Sequence, residues 1–475
     1  MSNIANTLQV TLQVILLIIV VLTIFNIIIF VHELGHFLAA KWRGLRIDRF
    51  QIWFGAPIWK KEINGVQYGL GWIPAGGFVA LPQMAPMEAL EGGTKDEKPL
   101  APITALDKII VAFAGPLFSM ILALLAAVVV WGVGKPADFI PNTQIGFLET
   151  NSPAQKAGLQ IGDRITAING TPINGFAGSL DSISERIILS RGKEITYTVE
   201  RPGVTEPVIL KSGFETEKTH WFQRRGLRQV GIEPASDAIV GGVSAKSPAA
   251  DAGIVKGDRV VSIDGIKLYS LQQFSQYLRD QKWKTVRLSV ENSDKQVREV
   301  EVTPEVPIKP SGSDPKVGIL WDGKSGVDVR IVHPGPIQQV KDSLHMMWVT
   351  ITSVAAPDSN IGVDHLSGPV GIAKMQYQLL QTENGWRRIL AFMVLFNVNL
   401  AVLNMMPFPV LDGGHITLAI LEKIFGRPVK AKPLEILQTV CALALISLML
   451  FVTSKDIGDS FGRGKDKPQQ EIIFP

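Results

Sequence analysis

The sequence predicts a multi-pass α-helical membrane protein: four transmembrane helices, with two tandem copies of a small α+β domain between the second and the third. Three observations predict it. The chain is 46% hydrophobic yet only 19% charged, its apolar residues concentrate in four stretches, and one 22-residue pattern occurs twice. A chain of 475 residues has room for about three domains. The composition is too apolar for an ordinary soluble protein and too charged for one wholly embedded in lipid. Net charge is +4, with no basic tract interleaved with aromatics, so nucleic acid is not an expected partner. The single cysteine, Cys441, excludes an intrachain disulfide and a cysteine-rich zinc site.

The four stretches are Met1 to Val31, Ile109 to Gly134, Ile389 to Leu411 and Ile436 to Ser454. Each reaches the roughly 18 to 20 residues that cross about 30 Å of hydrocarbon as a helix. The first lacks a basic n-region and exceeds the ~7 to 15 residues of a signal-peptide core, so it is expected to stay in the mature protein. Lys41, Arg43, Arg46, Arg49, Lys60 and Lys61 follow this span and no basic residue precedes it, which places that loop in the cytoplasm. Residues 136 to 388 then lie outside, and Lys423, Arg427, Lys430 and Lys432 inside. Lys455, Arg463, Lys465 and Lys467 in the tail pull weakly the other way.

The expected order is a first span at 1–38, a cytoplasmic loop region at 39–103 and a second span at 104–135. The repeats follow at 136–225 and 226–308, and an outer amphipathic-helix region at 309–385. A third span at 386–422, a cytoplasmic loop at 423–433, a fourth span at 434–454 and a tail at 455–475 complete it. Within the outer region, Ile337, Val340, Leu344, Met347, Trp348 and Ile351 recur at helical spacing in a segment too short and polar to span.

Residues 152–173 and 247–268 are identical at ten of twenty-two aligned positions, offset by 95 residues. In each copy Ser-Pro opens a short helix that Gly158 or Gly253 closes, and Gly-Asp and Asn-Gly or Asp-Gly turns bracket alternating strands. The pattern resembles PDZ domains of bacterial proteases, which implies binding of extended chain ends by strand addition. A steric filter over the membrane part is the alternative, since the candidate end-binding segments, Ile145-Gly146-Phe147 and Val240 to Val243, are loose matches.

At the end of the first span stands HELGH, with His32, Glu33 and His36. Histidines at i and i+4 share a helix face and can reach one zinc, and the glutamate between them can take a proton from a water that zinc acidifies toward a pKa of about 7. Ionisable residues inside a membrane are expensive and mark sites. A third ligand is expected from Asp412, where the third span meets the same side, with His415 as the rival. One Zn2+ is the expected cofactor, although a His-His-Asp set accepts other divalent ions by affinity. Pro407 and Pro409 interrupt the third span and free carbonyls, and Asn404 can donate to and accept from an extended substrate chain. Gly76, Gly77, Phe78 and Val79 form a candidate strand to receive it.

HExxH ending the first span, PDZ-like repeats after the second, and N-x-x-P-x-P-x-L-D-G in the third together resemble the site-2 protease family. PAGGFVAL (74–81) is similar to that family's membrane re-entrant β-loop and FAGP (113–116) to its second-span signature. The resemblance implies a zinc metalloendopeptidase with ligands His32, His36 and Asp412 and catalytic Glu33. It further implies regulated intramembrane proteolysis of an anti-sigma factor in the sigma-E envelope stress response, after a first cut by another protease, and removal of remnant signal peptides. Transmembrane protein substrates and membrane lipid are the partners so implied. The location implied is a bacterial inner membrane, with the N-terminus and PDZ pair in the periplasm and the active site near the cytoplasmic side. A membrane metal transporter and a catalytically silent PDZ scaffold are the competing classes. The first would not need Glu33 or peptide-type modules, and the second would be expected to show a broken ligand set.

Overall fold

The computed structural model describes residues 2–84, 103–310, 312–323, 325–426, 431–462 and 472–475. Arg427, Lys430, Arg463, Lys465 and Lys467, used above for orientation, lie outside the described residues, as do residues 85–102 of the expected 39–103 region. Among the described residues four helices are long and apolar enough to cross a membrane: Ile15–Trp42, Ala105–Val133, Gly385–Asn404 and Lys432–Ser460. The chain forms two units. One comprises Met1–Pro136, Ile331–Thr352 and Ser367–Ile457, the other Ala137–Arg330, Ser353–Leu366 and Gly458–Pro475.

The first unit opens with α1 (Ser2–Trp42), apolar on all sides as a lipid-facing helix must be. It stops at Gly44, whose φ of 71° no helix can use. Helix α2 (Ala105–Val133) starts at a capping box between Thr104 and Asp107. Asp107 Oδ1 also accepts from Arg43 Nε at 2.6 Å, fastening the end of α1 to the start of α2. The two backbones touch where they cross: a Cβ on Gly35 would lie 2.4 Å from the Ala114 carbonyl oxygen. Small residues give helices this approach in membranes.

Between them β1 (Arg49–Ile63) and β2 (Val66–Ala80) pair in a sheet that doubles back on itself. Ile52 is opposite both Leu70 and Gly77, and Phe50 opposite both Tyr68 and Val79. Residues 77–80 therefore sit outermost, paired on one side among the described strands. Phe50 packs edge-on against Phe30 and Phe37 of α1, at centroid distances of 5.8 and 5.4 Å, and Trp53 Nε1 donates to Asn26 Oδ1 at 2.6 Å. The sheet thus lies along α1 from Asn26 to Phe37.

The second unit holds two modules of like construction. In the first, β4 (Arg164–Ile168), β5 (Thr171–Pro172), β6 (Ile195–Glu200) and β7 (Val208–Ser212) make a sheet in the order β5-β4-β6-β7. Strand β3 (Ile145–Leu148) pairs with β8 (Ile232–Pro234), and α3 (Ile183–Ile188) buries Ile183 and Ile187 in the core. In the second module, β9 (Ala238–Val243), β10 (Arg259–Ile263), β12 (Val286–Glu291), β13 (Val297–Val302) and β14 (Ile319–Trp321) run β13-β12-β10-β9-β14. The short β11 (Ile266–Lys267) pairs with β10, and α4 (Leu271–Asp280) buries Phe274 and Leu278. Asp163 and Asp258, both buried, each hold an arginine, Arg201 just after β6 at 2.8 Å and Arg298 in β13 at 2.7 Å. Each arginine also donates to the carbonyl of the helix-closing glycine, Gly158 or Gly253.

The module boundaries differ from the expected 136–225 and 226–308. Strand β8 completes the first module, with Val230 in its core, and β14 completes the second, with Val317 and Ile319 in its core. The reason is a second repeated element. Val230-Gly231-Ile232 and Val317-Gly318-Ile319 each return to the Ser-Pro-Ala helix of their own module, where the valine carbonyl accepts from Ala154 N at 3.0 Å or Ala249 N at 2.9 Å. Both glycines have positive φ, 74° and 83°, and a Cβ on either would lie within 2.4 Å of the Cβ of Ser152 or Ser247. Glycine is required twice over, by conformation and by space.

The chain then returns to the first unit through α5 (Pro336–Ala355) and α6 (Pro369–Gln381). In α5 Ile337, Leu344, Trp348 and Ile351 are exposed while Gln339, Ser343 and Met347 are buried, so most of its apolar stripe points outward. The start of α6 is held by Asp456, 2% exposed, whose Oδ2 accepts from the amides of Gly368 and Gly371 at 3.0 and 2.8 Å. A carboxylate satisfies the free amides of a helix N-terminus and suits its dipole. Helix α7 (Gly385–Asn404) ends seven residues before Leu411, where the third span was expected to close. Pro407 and Pro409 lack the amides that would continue it, and the chain turns into α8 (Asp412–Phe425). Helix α9 (Ala431–Gly462) is the last.

Candidate metal centre

His32 and His36 are one turn apart on α1, both 8% exposed. Their Nδ1 atoms are engaged by α2: His36 Nδ1 donates to the Val111 carbonyl at 2.8 Å, and His32 Nδ1 is 2.9 Å from Ser119 Oγ. Each ring therefore presents Nε2 inward. Asp412 enters at the first turn of α8, also 8% exposed. It reaches this place because Gly413 and Gly414 let α8 press on the preceding turn, where Cβ atoms would lie 2.2 Å from the Met405 and 2.0 Å from the Phe408 carbonyl oxygens. Lys108 on α2 pairs with Glu422 on α8 at 2.7 Å and fixes the helix from its other end.

The inward donors converge, with each imidazole nearest a different oxygen of Asp412. His32 Nε2 and His36 Nε2 are 3.3 Å apart, His32 Nε2 and Asp412 Oδ2 3.3 Å, and His36 Nε2 and Asp412 Oδ1 3.4 Å. A tetrahedron with zinc–ligand distances of about 2.0–2.1 Å has edges of about 3.3–3.4 Å, so this donor set fits one zinc ion in both chemistry and spacing. Among the described residues these three are the group placed to hold a metal. His415, the rival ligand, is buried beside Lys108 and Glu422 and is not one of them.

Glu33 stands beside the centre, half-buried. Its Cγ and Ile29 Cγ2 lie 3.0 Å from where a Cβ on Gly77 would be, so the outer segment of β2 passes directly over the glutamate. Gly76, with φ 66°, is locked by the Phe54 ring, and Phe78 and Val79 are buried. Asn404 Nδ2 is 3.3 Å from His32 Nε2, at the metal side of the turn. Of the two prolines, Pro409 has its carbonyl taken by Gln438 Nε2 at 3.3 Å.

Sequence reasoning missed Ser119, Asn26 and Trp53, and gave Gly115 only as part of the FAGP signature. Ser119 carried a signal, being the one hydroxyl between Ile109 and Gly134. It is 0% exposed and orients His32. Ser119→Ala is expected to weaken zinc binding about 10- to 100-fold, as loss of a hydrogen bond behind a histidine ligand does. Zinc retained against a graded series of chelator concentrations, with the detergent-solubilised protein still folded, measures it.

Four membrane-length apolar helices and a buried His-His-Asp centre beside a glutamate define a multi-pass membrane metallohydrolase. The chain belongs to peptidase family M50, whose profile matches residues 18–448, and it is a zinc metalloendopeptidase. It is 28% identical over 451 residues to the regulator of sigma-E protease RseP of Escherichia coli K12, with 89% of this chain and 94% of that one covered. To the Salmonella typhimurium protein of the same name it is 26% identical, with the same coverage. A Pasteurella multocida protein bearing the provisional name of zinc metalloprotease is 28% identical, over 91% of this chain and 96% of that one. Among solved structures, the PDZ domain of an SdrC-like protein of Listeria innocua aligns with 18% of this chain and 92% of its own, at 26% identity and a TM-score of 0.16.

Proposed function

We propose that this protease cuts single-span membrane proteins within or at the edge of the bilayer, with His32, His36 and Asp412 holding zinc and Glu33 moving the proton. The observation that carries this reading is the outer segment of β2 lying on Glu33 beside the three donors. A helical substrate hides its carbonyls in its own hydrogen bonds, and in lipid each freed group needs a new partner. Residues 76–80 offer that partner by strand addition, because they are paired on one side only among the described strands. The contacts of the sheet with α1 from Asn26 to Phe37 support its role as a re-entrant loop at membrane depth. Asn404, within reach of His32, steadies the substrate backbone next to the scissile bond.

Zinc supplies Lewis acidity, acidifying a water and polarising a peptide carbonyl. Glu33 accepts the proton as water oxygen bonds to the carbonyl carbon, and delivers it to the amide nitrogen as the C–N bond breaks. The products are a carboxylate and an amine.

In this reading the N-terminus and the two modules, a tandem PDZ pair, lie in the periplasm, and the active site lies near the cytoplasmic face of an inner membrane. The repeated Val-Gly-Ile and Ser-Pro-Ala elements support the pairing. The outward apolar face of α5 supports contact with lipid. The E. coli and Salmonella relatives are named as regulators of sigma E, and the substrate proposed here is accordingly an anti-sigma factor of that system, with remnant signal peptides as a second class.

Cleavage of a single-span substrate in liposomes, with product ends located by mass spectrometry, tests this function. Ends inside or bordering the hydrophobic segment are expected, and cuts confined to soluble loops would overturn it. In the same assay Asn404→Ala should lower kcat/KM about tenfold, the worth of one to two hydrogen bonds, at unchanged zinc content.

A further inference from the structure

The second module carries a groove of about 380 Å3 between α4 and β14. Phe274, Leu278 and Trp283 wall one side, and Val317, Ile319 and Trp321 the other. A strand flanked by a helix across a cleft is the arrangement that takes an extended chain. Ser275, Arg279, Asp314 and Lys316 give the groove a polar rim, and Ile472 reaches it from the distant segment Ile472–Pro475 of the same protein. That segment is not loosely laid there. Ile473 N donates to the Lys309 carbonyl at 3.1 Å, and its own carbonyl accepts from Ile308 N at 2.7 Å. Phe474 is 3% exposed, with its ring on Gly318.

The repeat makes this contact informative. The corner formed by Gly231 and Ser152 in the first module matches that of Gly318 and Ser247 in the second. In the first, the next neighbour is the Glu149 carboxylate, and in the second it is the Phe474 ring. One corner is finished by a local charged residue, the other by an aromatic brought from more than 150 residues away in the chain. Among the described residues three backbone bonds hold it, the third from Lys309 N to the Ile473 carbonyl at 3.3 Å, together with one buried ring, few enough contacts for reversible release.

We propose that Ile472–Pro475 is an intramolecular ligand of the second module, and that it competes with apolar extended peptide for the α4/β14 groove. The proposal rests on reading the modules as peptide binders and is independent of Glu33 chemistry. A segment on the same chain acts at an effective concentration in the mM range, so any incoming peptide must outcompete it.

The test uses the full-length Glu33→Gln protein in detergent, which cannot consume the probe. The probe is a fluorescein-labelled synthetic peptide of residues 466–475, DKPQQEIIFP. Against the parent protein, the variant Ile473→Asp with Phe474→Asp should bind this probe at least about tenfold more tightly, because the resident competitor is released. Adding Ser275→Arg, at a half-buried position on the groove rim, should abolish the gain. Hydrogen exchange of the Ile308 and Lys309 amides should rise in the double variant, confirming release. Equal probe affinity in parent and double variant, or binding that survives Ser275→Arg, overturns the proposal. No probe binding by the double variant, with exchange showing that the segment is released, also overturns it, and leaves proteolysis by the Glu33 form untouched as a separate measurement.

Discussion

Glu33→Gln should abolish peptide-bond cleavage, by roughly 10³-fold or more, while leaving zinc content at the parent level. The substitution keeps the size of the side chain, so the contact of its Cγ with the Gly77 segment persists. It leaves His32, His36 and Asp412 untouched, so each imidazole stays 3.3–3.4 Å from a carboxylate oxygen of Asp412 and 3.3 Å from the other imidazole. What it removes is a group able to accept a proton and return it, a role worth about 10² to 10⁴ in rate by itself. Cleavage near the parent rate at full zinc occupancy would sink the mechanism. The signature is the reverse of that for Ser119→Ala, where zinc affinity falls and the activity per bound zinc survives. Measuring zinc and turnover on the same preparations separates a residue that moves protons from one that aims a ligand.

The parts of this protein that the sequence exposes are those whose physics is local. A membrane span needs only a run of apolar residues, and HExxH needs only the helical spacing of His32 and His36, so both are visible in one window of sequence. Asp412 was expected from depth, because two membrane segments share one coordinate that hydropathy reports, and in the fold it lies against both histidines. The end of the third span was misjudged for the opposite reason: hydropathy stays high through Phe408 and Val410, and it is the missing amides of Pro407 and Pro409 that end α7 at Asn404. The module edges failed differently. Val230-Gly231-Ile232 and Val317-Gly318-Ile319 are too short to stand out as a repeat, and their meaning lies in closing onto serines about 70 to 80 residues earlier. Trp53 and Asn26 illustrate the same limit. Each is unremarkable in its own segment, and only the folded sheet brings the indole N–H to the amide oxygen.

Gly115→Ala should cost the protein most of its zinc, to below about a tenth of parent occupancy, without unfolding it. A Cβ at this position would lie 2.2 Å from His36 Nε2 and 2.9 Å from His32 Nε2, inside the donor set itself. The rings cannot swing aside freely, because their Nδ1 atoms are tied to Val111 and Ser119 of the same helix. Nor can α2 back away freely, since Asp107 is held by Arg43 of α1 at 2.6 Å and Lys108 by Glu422 of α8 at 2.7 Å. The displacement forced on His36 therefore exceeds the ~0.5 Å within which a metal site must be held. Helix propensity argues against a folding explanation, as alanine favours a helix over glycine by about 1 kcal/mol. Gly132→Ala on the same helix supplies the control: nothing lies within 4 Å of its added Cβ, and its zinc content should equal the parent's. Zinc measured by elemental analysis on both variants decides it, because a loss shared by Gly132→Ala would belong to the helix, and a loss confined to Gly115→Ala belongs to the space that α2 leaves for the two imidazoles.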